Sequence, residues 1–274
     1  MEDTTPSADE RPLVLLGQPL FPEFAAALAG RFRFVLVADA DAATLAQGRA
    51  LLIGLNPVTD DHLAALPALG LVAGISVGVN HVDLAACRRR GIAVTNAGAA
   101  FAVDTADYGV GLVVAVLRRV SGKRVGIVGL GNIGSRIARR LAAFGCAVSY
   151  NSRSPKPSAP YEFVPAVRDL AAGSDVLVLS CALTEETRHV VNGEVMEALG
   201  KDGVLVNVGR GGLVDEPELV RCLQEGVIGG AGLDVFESER AVATPESIRG
   251  TIELVAANLD AFFAGKPLLS PVEL

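Results

Sequence analysis

Tryptophan is absent from this 274-residue chain, and histidine is scarce: His62, His81 and His189 are the only three. None follows residue 189. Cys87, Cys146, Cys181 and Cys222 share neither metal-ligand nor Cys-x-x-Cys spacing. That excludes a zinc ribbon or dithiol centre and predicts small buried residues in a reducing compartment. Long apolar runs are also missing: 176–179 and 126–129 are short and broken by Gly, so no membrane span is expected. Positive charge is the minority, with 24 Lys and Arg against 31 Asp and Glu and a net charge of −7. Such a balance argues against nucleic acid as a partner. The one basic run, Arg88-Arg89-Arg90, reads as the solvated end of a helix closed by Gly91. Residues 1–11 lack the apolar stretch of a secretory signal and the Arg-rich pattern of a transit peptide. A disordered tail and a cytoplasmic protein are the expectation. Pro271-Val-Glu-Leu274 is not a peroxisomal Ser-Lys-Leu address.

What the chain does have is alternation. Short apolar runs at 13–16, 34–37, 50–53, 71–75 and 93–95 are separated by helix-like stretches such as 21–28 and 59–65. A long helix is predicted from Ala102 to Arg119, acidic at its start and basic at its end, as the helix dipole favours. A second series follows, with strands predicted at 124–128, 147–150, 176–180, 204–208 and 230–234. Helices are predicted at 133–144, 194–199, 216–225 and 245–264. The proline-dense segment 155–160 reads as a loop. Strands alternating with helices predict an α/β protein with two doubly wound parallel sheets of Rossmann or flavodoxin type. The expected organisation is a discontinuous domain of residues 12–98 plus 246–274 and an inserted dinucleotide-binding domain of residues 99–245.

In that second series Gly129-Leu130-Gly131-Asn132-Ile133-Gly134 stands between an apolar strand and a helix. Gly129 allows a tight turn, Gly131 lets backbone approach a diphosphate, and Gly134 lets the helix pack closely on the strand. The helix N-terminus then offers its N–H groups to the phosphates. An NAD-selective site carries an acid about 20 residues on, to hold the ribose hydroxyls. Here that place reads Asn151-Ser152-Arg153-Ser154, with no acid to repel a 2′-phosphate. Arg153 either pairs with that phosphate, helped by Ser152 and Ser154, or is only a solvated loop charge. The first alternative favours NADP(H), with NAD(H) the weaker ligand. Further on, Asn207-Val208-Gly209-Arg210-Gly-Gly follows another buried strand. An Arg there either grips a carboxylate with paired N–H donors or is structural at a helix entry.

Asn207–Gly212, Gly232-Leu-Asp234-Val-Phe-Glu237-Ser-Glu239 and the Gly129–Gly134 loop together resemble the D-2-hydroxyacid dehydrogenase family. Ser76-Val77-Gly78-Val79-Asn80-His81 is similar to the family's substrate loop, and the stretch 91–96 to the strand after it. The Ser152–Ser154 segment and the C-terminal Gly265-Lys-Pro-Leu-Leu-Ser-Pro are most similar to plant hydroxypyruvate/glyoxylate and hydroxyphenylpyruvate reductases. The resemblance implies a homodimeric oxidoreductase that reduces small 2-oxo acids to D-2-hydroxy acids. By it, Leu130 to Ile133 would hold the pyrophosphate and Ser152 to Ser154 the 2′-phosphate. Val208, Gly209 and Arg210 would line the nicotinamide end, and Asp234 would hold the carboxamide. Arg210 would bind and polarise the substrate, with Val77 and Gly78 giving amides to its carboxylate. Glu239 would orient a catalytic histidine.

That histidine is where the chain departs from the family. Glu239 runs directly into Arg240-Ala-Val-Ala-Thr-Pro245, and the loop, strand and histidine expected in between are missing. His62 and His189 read as structural or solvated, and His81 as an improbable substitute. A second gap falls at Val120-Ser121, where the family carries a Trp-containing segment that contributes to its dimer interface. The pattern is that of a shortened form of a longer reductase, by splicing or a faulty gene model. It is either impaired in turnover or an inactive NADP(H)-binding modulator of the full-length enzyme.

Overall fold

The computed structural model describes residues 11–236 and 245–274. The chain divides into two compact units, Met1–Phe101 with Thr244–Leu274, and Ala102–Ala243. Unit one contains β1 (Leu13–Leu16), α1 (Pro22–Leu28), β2 (Arg33–Leu36), α2 (Ala42–Gln47), β3 (Ala50–Ile53), α3 (Asp60–Ala64), β4 (Leu71–Gly74), α4 (Leu84–Arg90) and β5 (Ala93–Thr95). The long α5 (Gly98–Leu117) starts in this unit and from Ala102 belongs to the second. Unit two continues with β6 (Arg124–Val128), α6 (Asn132–Ala143), β7 (Ala147–Asn151), β8 (Glu162–Phe163), α7 (Val167–Ala172), β9 (Val176–Leu179), α8 (Gly193–Leu199), β10 (Val204–Asn207), α9 (Glu216–Gln224) and β11 (Gly230–Leu233). The final α10 (Pro245–Phe263) returns to unit one.

Every strand pairing between these elements is parallel. Unit one orders its five strands β2-β1-β3-β4-β5, the flavodoxin-like arrangement. Unit two orders its six β8-β7-β6-β9-β10-β11, the Rossmann arrangement. The apolar tetrads explain why both faces of each sheet are covered. In β9, Val176 and Val178 enter one core and Leu177 and Leu179 the other. In β1, Leu15 faces one core while Val14 and Leu16 face the opposite one. Burying a Val or Leu side chain contributes roughly 1.5–3 kcal/mol, so runs without polar alternation are stable only between two layers of helices.

Two expectations need correction. The long helix begins at Gly98, four residues before Ala102, because the Asn96 side-chain oxygen accepts from the Gly98 N–H at 3.2 Å. It ends at Leu117, so Arg118 and Arg119 lie beyond its last turn; Arg118 is left-handed at φ 58°. The helix is also long and apolar enough to cross a membrane by length and composition, which the tetrad pattern did not suggest. Its inward residues Ala106, Val110 and Val113 pack into the core of unit two, and Asp107 pairs with Arg140 of α6 at 2.5 Å. After Arg118 the chain turns tightly. Val120 is buried, Gly122 is left-handed at φ 78°, and the Val120 carbonyl accepts from the Lys123 N–H at 3.1 Å. The shortened junction at Val120-Ser121 is thus a closed turn. Of the N-terminal segment, residues 1–10 lie outside the described residues; Arg11 is held by a hydrogen bond to the Ala29 carbonyl.

Candidate functional site

The residues singled out in unit two lie at the C-terminal ends of its parallel strands, the edge where open α/β sheets bind ligands. Gly129 follows β6 with φ 96°, a conformation that L side chains rarely adopt. A β-carbon there would lie 2.6 Å from the Cys181 backbone. On Gly134 a β-carbon would overlap the Gly129 carbonyl oxygen, which is why α6 can begin so close to β6. On Gly131 it would meet nothing within 4 Å, so the space above this residue is open. No side chain caps the N-terminus of α6 and no acid stands in its first turn. The positive end of a 12-residue helix therefore faces that open space. The geometry fits a diphosphate.

At the end of β7, Asn151 is tied inward, its side-chain nitrogen donating to the carbonyls of Val164 and Pro165 at 3.0 and 2.8 Å. The Ser152 hydroxyl donates to the Ser154 carbonyl at 2.7 Å, so it is committed within the loop. Arg153 and Ser154 are exposed, with exposed Lys156 just beyond. The three residues expected to meet a 2′-phosphate are adjacent, but Ser152's proton already has an acceptor.

At the end of β10, Asn207 is buried and braces the loop that follows. Its side-chain nitrogen donates to the Arg210 carbonyl at 2.9 Å, and its side-chain oxygen accepts from the Gly209 N–H at 3.0 Å. Its backbone carbonyl accepts from the Asp234 N–H at 2.9 Å. Arg210 and Asp234 are thus held by one residue, a link that sequence reasoning missed. Spacing alone does not show it, because Asp234 comes from the next strand. The Arg210 guanidinium is largely desolvated, which pulls its pKa below the ordinary value, and it donates to the Gly209 carbonyl at 2.6 Å. Its planar fork of N–H donors is of the kind that matches a carboxylate. Burial raises the Asp234 carboxyl above its usual range. Val208 is buried, its N–H donating to the Leu179 carbonyl at 3.1 Å. Glu239 lies outside the described residues.

Unit one contains the other expected element by itself. After β4 the Ser76 hydroxyl donates to the Gly78 carbonyl at 2.8 Å, and the Asn96 side chain donates to the Val77 carbonyl at 3.0 Å. The carbonyl ends of both peptides are tied into the unit. His62 completes a capping box with Thr59 at the start of α3. His81 gives its carbonyl to the Val58 N–H at 2.8 Å. His189 is left-handed at φ 49°, gives its N–H to the Gly212 carbonyl at 2.8 Å, and stands 4.0 Å from the Asp215 carboxylate. The cysteines are all unpaired; Cys181, beside Gly129, has its thiol pushed up to about 11 by burial and is no thiolate nucleophile at neutral pH.

A glycine cradle under an uncapped helix, at the switch point of a Rossmann sheet, defines a dinucleotide-binding α/β protein. The chain belongs to the D-isomer specific 2-hydroxyacid dehydrogenases, an oxidoreductase family whose NAD-binding-domain model matches residues 111–254, over half the chain. It is 48% identical to glyoxylate/hydroxypyruvate reductase HPR3 of Arabidopsis thaliana, with 97% of this chain and 99% of that protein covered. It is 45% identical to hydroxyphenylpyruvate reductase of Plectranthus scutellarioides, covering 82% and 85%. Among solved structures, the NADPH-dependent glyoxylate/hydroxypyruvate reductase of Sinorhizobium meliloti, in complex with NADP and malonate, superposes with a TM-score of 0.86. Identity is 32%, covering 96% of this chain and 97% of that one. The alignment with the Arabidopsis protein spans 319 positions against 274 residues here, so at least 45 positions face no residue of this chain. The chain is shortened internally relative to that relative.

Proposed function

We propose that this chain is an NADPH-dependent reductase of small 2-oxo acids whose turnover is lowered by the loss of its general acid. Hydroxypyruvate, glyoxylate and hydroxyphenylpyruvate are the substrates to expect, from the names of its relatives. The observation that carries the reading is the open space at Gly131 beneath the uncapped N-terminus of α6, with Arg153 and no acid after β7. Bound there, NADPH supplies hydride. The chain's own residues do the rest. The backbone of Gly129 to Gly134 and the α6 dipole hold the diphosphate, and Arg153 pairs with the 2′-phosphate. Asp234 accepts from the carboxamide. Arg210, braced by Asn207, grips the substrate carboxylate and draws electron density from the 2-oxo group. In unit one, Val77 and Gly78 are the candidate amides for a carboxylate. The histidine that the family carries after the Glu239 position has no counterpart in the sequence, and on this reading the carbonyl oxygen takes its proton from water. A positioned acid contributes about 10²–10⁴-fold in rate, and that is the expected deficit.

The same missing histidine favours a second reading, an NADP(H)-binding protein without turnover that modulates a full-length reductase. Calorimetry with NADPH and NADH, run beside NADPH oxidation with hydroxypyruvate, separates the two. The first reading expects tighter binding of NADPH than NADH and slow oxidation. Replacing Arg153 by Ala should weaken NADPH about tenfold and leave NADH unchanged. Binding without any oxidation would leave only the second reading. Absence of binding would sink both, and equal NADPH affinity in Arg153→Ala would remove the 2′-phosphate assignment.

A further inference from the structure

Ser180, the residue after β9, belongs to none of the glycine, arginine or carboxylate elements above, yet it touches the phosphate loop directly. Its N–H donates to the Val128 carbonyl at 2.9 Å, continuing the β6–β9 ladder by one bond. Its hydroxyl donates to the Gly129 carbonyl at 2.8 Å, with the Val128 carbonyl at 3.4 Å. A β-carbon on Gly134 would come within 2.6 Å of that hydroxyl oxygen. The third glycine of the motif therefore makes room for Ser180 as well as for the strand. Gly129 is pinned from the other side too, its N–H donating to the Asn151 carbonyl at 2.9 Å.

We propose that Ser180 is a positioning residue for the coenzyme diphosphate, acting through the peptide between Gly129 and Leu130. The argument rests on the nucleotide-site reading above. In a trans peptide the C=O and the next N–H lie in one plane and point in opposite directions. A hydroxyl that holds the Gly129 oxygen toward β9 therefore aims the Leu130 N–H the opposite way. Gly129, left-handed and without a β-carbon, is the residue best able to let this peptide flip. A flipped peptide would present carbonyl lone pairs where an N–H belongs and repel the diphosphate. Ser180 closes off that alternative with one hydrogen bond from a neighbouring strand.

The experiment compares wild type, Ser180→Ala and Ser180→Thr, with three readings on each. These are the thermal midpoint without ligand, the NADPH affinity, and the affinity for 2′-AMP, which has the adenosine 2′-phosphate but no diphosphate. For Ser180→Ala, NADPH affinity should fall about three- to tenfold, the worth of one hydrogen bond. Its 2′-AMP affinity should match wild type, and Ser180→Thr should restore NADPH binding. Parallel loss of both ligands in Ser180→Ala would show a merely structural role and overturn the proposal, as would unchanged NADPH affinity. Wild type binding neither ligand would overturn the nucleotide reading itself, and this assignment with it.

Discussion

The two units use one architectural idea and end with opposite chemistry at the same place. In each, the first strand of a doubly wound sheet runs into a turn and a helix. After β1 the turn is Gly17-Gln18-Pro19, and α1 has Pro22 at its start and Glu23 in its first turn. The proline removes an N–H and the glutamate answers the dipole with the chain's own negative charge. The Gln18 carboxamide lies where a β-carbon on the neighbouring Gly54 would be, so the chain fills its own crevice. After β6 the turn is Gly129–Gly131, and α6, which like α1 has no side-chain cap, is longer and free of acids in its first turn, with open space above Gly131. Strand order is shared in kind. On the proposed reading, the chemistry of a few turn residues decides which switch point receives an anion.

Breaking the second crevice should have the largest effect. In Gly134→Ala the new methyl group overlaps the Gly129 carbonyl and crowds the Ser180 hydroxyl. Overpacking of this kind costs about 1–3 kcal/mol, readable by urea denaturation. Since the strain falls on the phosphate loop, NADPH affinity should fall by more than roughly tenfold; unchanged affinity would show that the loop is not the binding element.

A smaller effect is expected at Asp234, where unit two keeps a half-buried acid while Glu23 of unit one is exposed. Burial raises the folded-state pKa of Asp234, so its favourable contribution is complete below the unfolded value and disappears as pH rises through the folded one. At neutral pH the ionised group therefore opposes folding. Asp234→Asn should stabilise the ligand-free chain there, by less than about 1 kcal/mol given its solvent contact, and the gain should vanish in acid. Thermal melts across pH check this, and a gain that grew towards low pH would contradict the sign. The mildest change is Gln18→Ala, which empties the crevice of unit one without supplying glycines or an unopposed helix end. It should shift stability by about 1 kcal/mol or less and create no second coenzyme site. Calorimetric titration to two equivalents of NADPH would break the comparison.

Much of this contrast can be read in the sequence, because its cause is local. Gly129, Gly131 and Gly134 sit at fixed offsets between an apolar tetrad and a helix, and strands buried on both faces announce themselves as unbroken apolar runs. Arg88–Arg90 followed by Gly91 did foretell a helix end, closed with Gly91 at φ 68°. Short elements were harder. The spans of α2, α7 and the two-residue β8 were not named, whereas the five-residue α3 was, its start being marked by Asp60 and Asp61. At the site, the missed residues are those that act across strands. Ser180 reaches the Gly129 carbonyl 51 positions away, and Asn207 holds the backbone of Asp234. No spacing rule encodes a partner fixed only once the sheet order is known.

The two margins of the second sheet also differ. β8 ends it with two residues, too short to guide another chain, whereas β11 ends it with Gly-Ala-Gly-Leu, four small or apolar residues without a charge. Among the described residues no strand lies outside β11. An uncharged margin of that kind is the one a neighbouring chain would pair with more readily, the charges that usually guard a sheet edge being absent from it.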